Sequence, residues 1–221
     1  MDVVKRLTPL ACALASLSMG CQTREIGRTS PSEPGERTLV AQDDFSAPTL
    51  GRDWKRGEGE GGKGRWKLVG GELRGQNMHN DPLWWSRPLP ERMRVEFTAR
   101  ALTEEGDLKV EVFGDGKTHA SGYVLIFGGW DNSLDVIARL DEHGGDRLAR
   151  KAFEAQSGKT YSMAVERDGD AVRWYVDGML HMSYEDPAPL RGPKHAYFAF
   201  NDWEAPVAFD DFKVFELAAS D

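Results

Sequence analysis

The sequence predicts an all-β fold, two antiparallel sheets packed as a sandwich, and three observations carry that prediction. From Thr38 onward the apolar residues recur with period two far more often than with the period of about 3.6 that marks a helix. Glycine-containing turn steps break the chain about every 8–12 residues, the spacing of a sandwich or barrel. No segment carries a helical stripe longer than a turn or two. The composition agrees: 24 Gly and 11 Pro in 221 residues favour turns over long helices, and seven Trp supply bulk for a core.

The first residues read as an address. Lys5 and Arg6 precede an apolar run from Leu7 to Met19, too short to span a bilayer comfortably but the size of a secretory h-region. The run ends at Leu17, Ser18, Met19, Gly20 and Cys21, which resembles a bacterial lipobox. Gly20 and Cys21 fit it; Leu17 stands one position too far from the cysteine, and Met19 is larger than usual. The resemblance implies a lipidated Cys21 as the mature N-terminus, and Gln22 after it implies outer-membrane sorting. An ordinary secretory signal cleaved near Gly20 is the alternative. Residues 22–37 contain Thr, Ser, Pro, Gly and Glu and almost nothing apolar, a flexible tether. The expected organisation is a signal peptide at 1–20, lipidated cysteine and tether at 21–37, one domain at 38–217 and a tail at 218–221.

Within the domain, Asp43-Asp44-Phe45 belongs to a strand that closes the sandwich. Residues 57–64, GEGEGGKG, follow no strand-to-helix pattern and read as a mobile loop. Gly70-Gly71 and Asp177-Gly178 each lie between apolar runs, a strong hairpin signal, and Asp168-Gly169-Asp170 is a further turn. Met93, Val95, Phe97 and Ala99 share one strand face, as do Val110 and Val112, and Val172, Trp174 and Val176. Residues 146–155 read equally as a short helix or a strand. The closing segment sets Asp210 and Asp211 between Phe209 and Phe212.

In this order, the Asp43-Asp44-Phe45-Ser46 run, Trp54, Trp66 with Gly70-Gly71-Glu72-Leu73, the Trp174 to Gly178 hairpin and the run from Phe209 to Val214 resemble the concanavalin A-like jelly-roll superfamily. The likeness extends to its bacterial envelope members, among them glycan-binding modules and domains related to 3-keto-disaccharide hydrolases. The resemblance implies a jelly roll with the first and last strands adjacent and Phe45, Phe209 and Phe212 in the core. It also implies a structural calcium held by Asp43, Asp44, Asp210 and Asp211, since calcium prefers hard oxygen ligands. The alternative is that these acids are solvated edge charges that deter sheet aggregation.

A glycan site needs flat apolar platforms and planar polar groups. The candidates are Trp84, Trp85, Trp130, Asn132, Asn201 and Trp203, with Asp131 and Asp202 beside them. Adjacent Trp84 and Trp85 point to opposite strand faces, so one can pack inside while the other faces a groove, with Asn77, His79 and Asn80 beside it. For each tryptophan, core packing is the competing explanation, and for Trp66 and Trp174 it is preferred.

Glycoside hydrolysis needs two opposed carboxylates. The E-x-D-x-x-E strand of related glucanases is missing, and Glu111 with Asp115, or Asp135 with Arg139, does not reproduce it. The five histidines form no zinc-ligand spacing, and neither a P-loop nor a nucleophile elbow occurs. A formal net charge of -8 disfavours nucleic acid. Cys12 and Cys21 both precede the domain, which leaves it without a disulfide. The expected protein is thus a monomeric, lipid-anchored envelope component that binds carbohydrate or envelope polysaccharide. A glycoside-acting enzyme and a structural protein making protein contacts are the alternatives.

Overall fold

A computed structural model describes residues 36–219. The signal segment, Cys21 and most of the tether lie outside the described residues. Fifteen strands, numbered in chain order, form two antiparallel sheets. The eight-stranded sheet holds β1 (Arg37–Asp43), β3 (Lys67–Val69), β4 (Glu72–Gly75), β6 (Met93–Ala101), β11 (Thr160–Asp168), β12 (Ala171–Val176), β13 (Met179–Glu185) and β15 (Val207–Leu217). The seven-stranded sheet holds β2 (Trp54–Arg56), β5 (Leu83–Trp85), β7 (Leu108–Gly114), β8 (Tyr123–Gly128), β9 (Leu134–Arg139), β10 (Leu148–Lys151) and β14 (Tyr197–Asn201). Within residues 146–155, Leu148–Lys151 thus forms a strand, and no helix occurs there.

The paired acids of the closing strand have a geometric cause. β15 pairs with β6 along one edge; its first half pairs with β4 and its second with β1 on the other. First and last strands are thus neighbours. The register with β6 shifts between Asp210 and Lys213, and Asp211 sits at φ 52°. One extra residue at a bulge resets the period-two alternation. Phe209 and Phe212, three apart, can then both point inward, at 1% and 0% exposure, while Asp210 and Asp211 remain outside. An aspartate tolerates the left-handed bulge position better than a bulky residue would.

Between the sheets lies one aromatic-rich core. Phe200 is fully buried, stacks on Phe209 at 4.4 Å and Trp54 at 5.5 Å, and meets Phe97, Phe198 and Phe212 edge-on. Phe45, Trp85 and Trp174 belong to the same cluster. The hairpins form where the turn steps place them. Gly70 and Gly71 have φ 65° and 82°, and Asp177 and Gly178 have 50° and 78°, the paired positive values that match strand twist.

Residues 57–64 depart from expectation. Glu58 bridges Thr118, and the Glu60 N–H donates to the His79 carbonyl at 2.7 Å. A Cβ at Gly57 would come within 2.4 Å of the Lys117 carbonyl, and one at Gly59 within 2.2 Å of the Asp81 carboxylate. The glycines permit backbone to lie directly on neighbouring backbone, and the segment is pinned rather than free.

Candidate functional site

The central strands of the seven-stranded sheet, β7, β8 and β9, are buried on both faces, and the face away from the core carries the buried charges. Along β7, Leu108, Val110 and Val112 enter the core while Lys109 and Glu111 point the other way, at 1% and 0% exposure. On β8 and β9, Val124, Ile126, Val136 and Ala138 form a small apolar patch on that outer face. Loops from both ends of the strands rise around it and leave a cleft of about 610 Å³.

The floor of the cleft is a buried polar layer centred on Lys109. Its Nζ donates to Asn80 Oδ1 at 2.8 Å, lies 3.1 Å from Glu142 Oε2 and 4.0 Å from Asp107 Oδ2. Burial disfavours the ammonium, but Asp107 and Glu142 outweigh it and raise the Lys109 pKa. Glu142 is likewise penalised by burial, yet Lys109 and His119 hold its pKa below the ordinary value. Asp107, which also accepts the Trp203 N–H at 2.7 Å, is pushed up by burial despite Lys109. Below it, Asp202 is fully buried, and neither carboxylate oxygen makes a well-formed hydrogen bond. Burial and the adjacent Asp107 charge push its pKa up to about 9, so Asp202 is protonated at neutral pH.

Beside this layer stands a histidine held by a carboxylate. Glu111 accepts from Asn201 Nδ2 at 2.8 Å, from the Ala120 N–H at 2.9 Å and from His119 Nδ1 at 2.8 Å. A carboxylate accepts, so Nδ1 carries a hydrogen, and Nε2 lies 3.6 Å from Glu142 Oε2. Both His119 and Glu142 line the cleft.

Two tryptophans stand at the cleft wall. Trp130 is 36% exposed and Trp203 40% exposed, and both line it. Trp130 belongs to a left-handed turn: Gly128, Trp130, Asp131 and Asn132 have φ 69°, 52°, 54° and 59°. Such a run is costly for side chains other than glycine. Asn132 ties it down, donating from Nδ2 to the carbonyls of Glu104 at 3.0 Å and Ala155 at 2.8 Å and accepting the Ala155 N–H at 2.8 Å. Trp203 stacks on His79, centroids 4.7 Å apart, and His79 Nε2 meets Glu204 at 2.8 Å.

The six residues singled out from sequence therefore separate. Trp130 and Trp203 converge on one cleft. Asn201 and Asn132 do not line it; they hold Glu111 and the left-handed turn. Trp85 packs in the core. Trp84 does face outward, but at 1% exposure it is sealed against Gly57 and Gly114, and so presents no platform. Three of the four acids named for a calcium site serve backbone and side-chain donors. Asp43 accepts from the Phe45 N–H and Trp54 Nε1, Asp44 from Ser46, and Asp210 from the Asp211 N–H. Among the described residues no three His, Cys, Asp or Glu side chains converge to hold a metal ion.

Sequence reading missed Lys109, His119, Glu142 and Asp107. One signal was available: Lys109 and Glu111 interrupt an apolar strand with two charges of one parity. On a strand buried on both faces, that parity marks a polar layer. Glu142 and His119 come from loops, and period-two patterning says nothing about where loops fold.

No protein-family model and no curated protein matches the sequence. Solved structures share the fold. A sialidase superposes with a TM-score of 0.60 at 15% identity, covering 80% of this chain and 18% of the sialidase, so the chain spans under a fifth of that protein. The laminarinase catalytic domain from Thermotoga maritima MSB8 gives 0.59 at 14% identity over 83% of this chain and 100% of its own. The carbohydrate binding module CBM66 from Bacillus subtilis gives 0.54 at 16% identity over 72% and 93%. The fold is the concanavalin A-like jelly roll, shared by glycoside hydrolases and glycan-binding modules.

Proposed function

We propose that this chain is a glycan-binding protein of the cell envelope, exported and lipid-anchored through Cys21 at the outer membrane. The observation that carries the binding function is the convergence of Trp130 and Trp203, both solvent-exposed, on one cleft with a polar floor. Indole faces pack against the C–H face of a pyranose, and buried, pre-oriented polar groups fix its hydroxyls. The lipobox-like run ending at Cys21 and the polar tether after it support the anchor.

A calorimetric screen of soluble oligosaccharides tests the cleft. A ligand should bind, and Trp130→Ala or Trp203→Ala should weaken it by about 1–3 kcal/mol, the loss of one aromatic platform. Unchanged affinity in both variants would place the glycan elsewhere. Mass spectrometry of the membrane fraction tests the anchor: the mature chain should begin at an acylated Cys21, and Cys21→Ala should release the protein from the membrane.

A second reading has its own observation. Asp107 and Glu142 share one ammonium, yet their pKa values are driven in opposite directions, the condition for an acid and a carboxylate base in one site. On that reading the chain hydrolyses a glycosidic bond, and reducing ends should appear from a bound oligosaccharide with the natural protein but not with Glu142→Gln.

A further inference from the structure

Charge distinguishes the exposed part of this cleft from its floor. At the base, Lys109 is matched by Glu142 and Asp107 and is sealed from solvent. Higher up, Glu60, Glu105, Asp131, Asp141 and Glu204 line the cleft and are exposed. Against these five carboxylates stand the Arg147 guanidinium and the imidazoles of His79 and His143. Each exposed tryptophan is followed in sequence by an acid, Trp130 by Asp131 and Trp203 by Glu204. Each ring also already keeps a basic group beside it. The Arg147 guanidinium lies 4.9 Å over the Trp130 ring, and the His79 imidazole lies on Trp203 while pairing with Glu204. An aromatic face with a carboxylate next to it is the chemistry that holds a cation on a flat body.

Building on the glycan-binding reading, we propose that the ligand is a saccharide carrying a protonated amine, an amino sugar whose nitrogen is not acylated. Its ring lies on an indole while its ammonium meets the neighbouring carboxylate and the π face. A uronate or sulfated chain would bring negative charge against the same five acids and is selected against. A neutral sugar gains the stacking but none of the charge.

The test is titration calorimetry on the full-length protein at about pH 6, where a sugar amine is charged. The probes are a β-1,4-glucosamine tetramer, its N-acetylated counterpart and a uronate tetramer. The amine form should bind about tenfold more tightly than the acetylated form, and the uronate should show no heat. The preference should vanish at about 0.5 M salt, where exposed charges are screened. It should vanish also in Asp131→Asn with Glu204→Gln, which keeps both tryptophans and suits the left-handed backbone at residue 131. Equal affinity for the amine and acetylated tetramers would overturn the amino-sugar assignment and leave the glycan cleft standing. Absence of binding by every saccharide to about 10 mM would overturn both. An oligolysine of equal charge binding as tightly as the glucosamine tetramer would show that charge alone is read, and would overturn the assignment as well.

Discussion

The two faces of β7 are buried to nearly the same degree and could hardly differ more in chemistry. One face sends Leu108, Val110 and Val112 into a core of stacked phenylalanines and tryptophans. The other sends Lys109 and Glu111 into a layer of carboxylates, amides and an imidazole. The first face needs only area and fit: burying apolar surface stabilises without regard to direction. The second needs each charge to find its partner, because an isolated buried charge is strongly unfavourable. A protein seldom keeps a whole polar layer under a cleft for stability alone, since a well-packed apolar layer would often serve as well or better. On the glycan-binding reading proposed above, the layer supplies a fixed electrostatic floor for the ligand.

The comparison breaks first at the core. Phe200→Ala removes the ring that Phe45, Trp54, Phe97, Phe198, Phe209 and Phe212 all touch. Chemical denaturation should show a loss of about 3–5 kcal/mol, the range for a fully buried aromatic. A loss under about 1 kcal/mol would mean that the two sheets do not meet through this cluster.

On the opposite face, Lys109→Met keeps the length of the side chain but deletes the charge. Glu142 and Asp107 would then be buried without a counter-ion, and stability at neutral pH should fall by about 3 kcal/mol. The variant should recover part of that loss on acidification, as the stranded carboxylates take up protons. The natural protein should not share that recovery through Glu142, whose pKa is held down by Lys109. If the variant is as stable as the natural protein at neutral pH, the ammonium is not the centre of the layer.

The two faces also differed in how far the sequence revealed them. The core face was legible because a strand writes its burial as strict alternation: Met93, Val95, Phe97 and Ala99 announce it without outside help. The hairpins at Gly70-Gly71 and Asp177-Gly178 were legible because few residues accept a positive φ. Strand parity also separated Trp84 from Trp85 correctly, but it could not show that the residue 57 backbone covers Trp84. That covering depends on contacts between loops far apart in sequence, as does the meeting of Glu142, His119 and Lys109 from three segments. Trp130 and Trp203 could be named as candidates because they lie in breaks of the strand pattern, and both line the cleft. Asn132 and Asn201 were singled out in the same way, yet both proved to be braces, since an amide beside a turn serves backbone groups as readily as a ligand.

A smaller effect sharpens the electrostatics of the floor. The unfolded chain gives up the Asp202 proton near pH 3.9, whereas the folded protein keeps it until about 9. Between those limits unfolding releases a proton, so this group makes the folded state less favourable as pH rises, and its full contribution is present only below the lower limit. Asp202→Asn removes the titration and keeps the shape. The variant should be more stable than the natural protein at about pH 8 and should match it near pH 4. Urea midpoints across that range decide the matter. A natural protein whose stability shows no greater decline than the variant's would mean that Asp202 is ionised in place.

The smallest effect expected separates the acids of the cleft from those of the closing strands. Asp43, Asp44, Asp210 and Asp211 lie near the strand pairing that closes the sheet, where β1 meets β15. Asp43 spends one oxygen on the Phe45 N–H and the other on Trp54 Nε1, at 2.9 and 2.8 Å. Asp210 caps the bulge through the Asp211 N–H at 2.7 Å. Carboxylates committed to N–H donors are poorly placed to supply the six to eight oxygens that calcium takes. A chelator should therefore shift the denaturation midpoint by less than about 0.3 kcal/mol. A bound cation present at a hundred times its Kd would instead contribute about 2.7 kcal/mol, all of it lost on chelation. A drop of that size, restored by calcium and absent from Asp43→Asn, would show that these acids turn from the backbone to a metal. The contrast between acids that brace a fold and acids that face a ligand would then have to be drawn elsewhere.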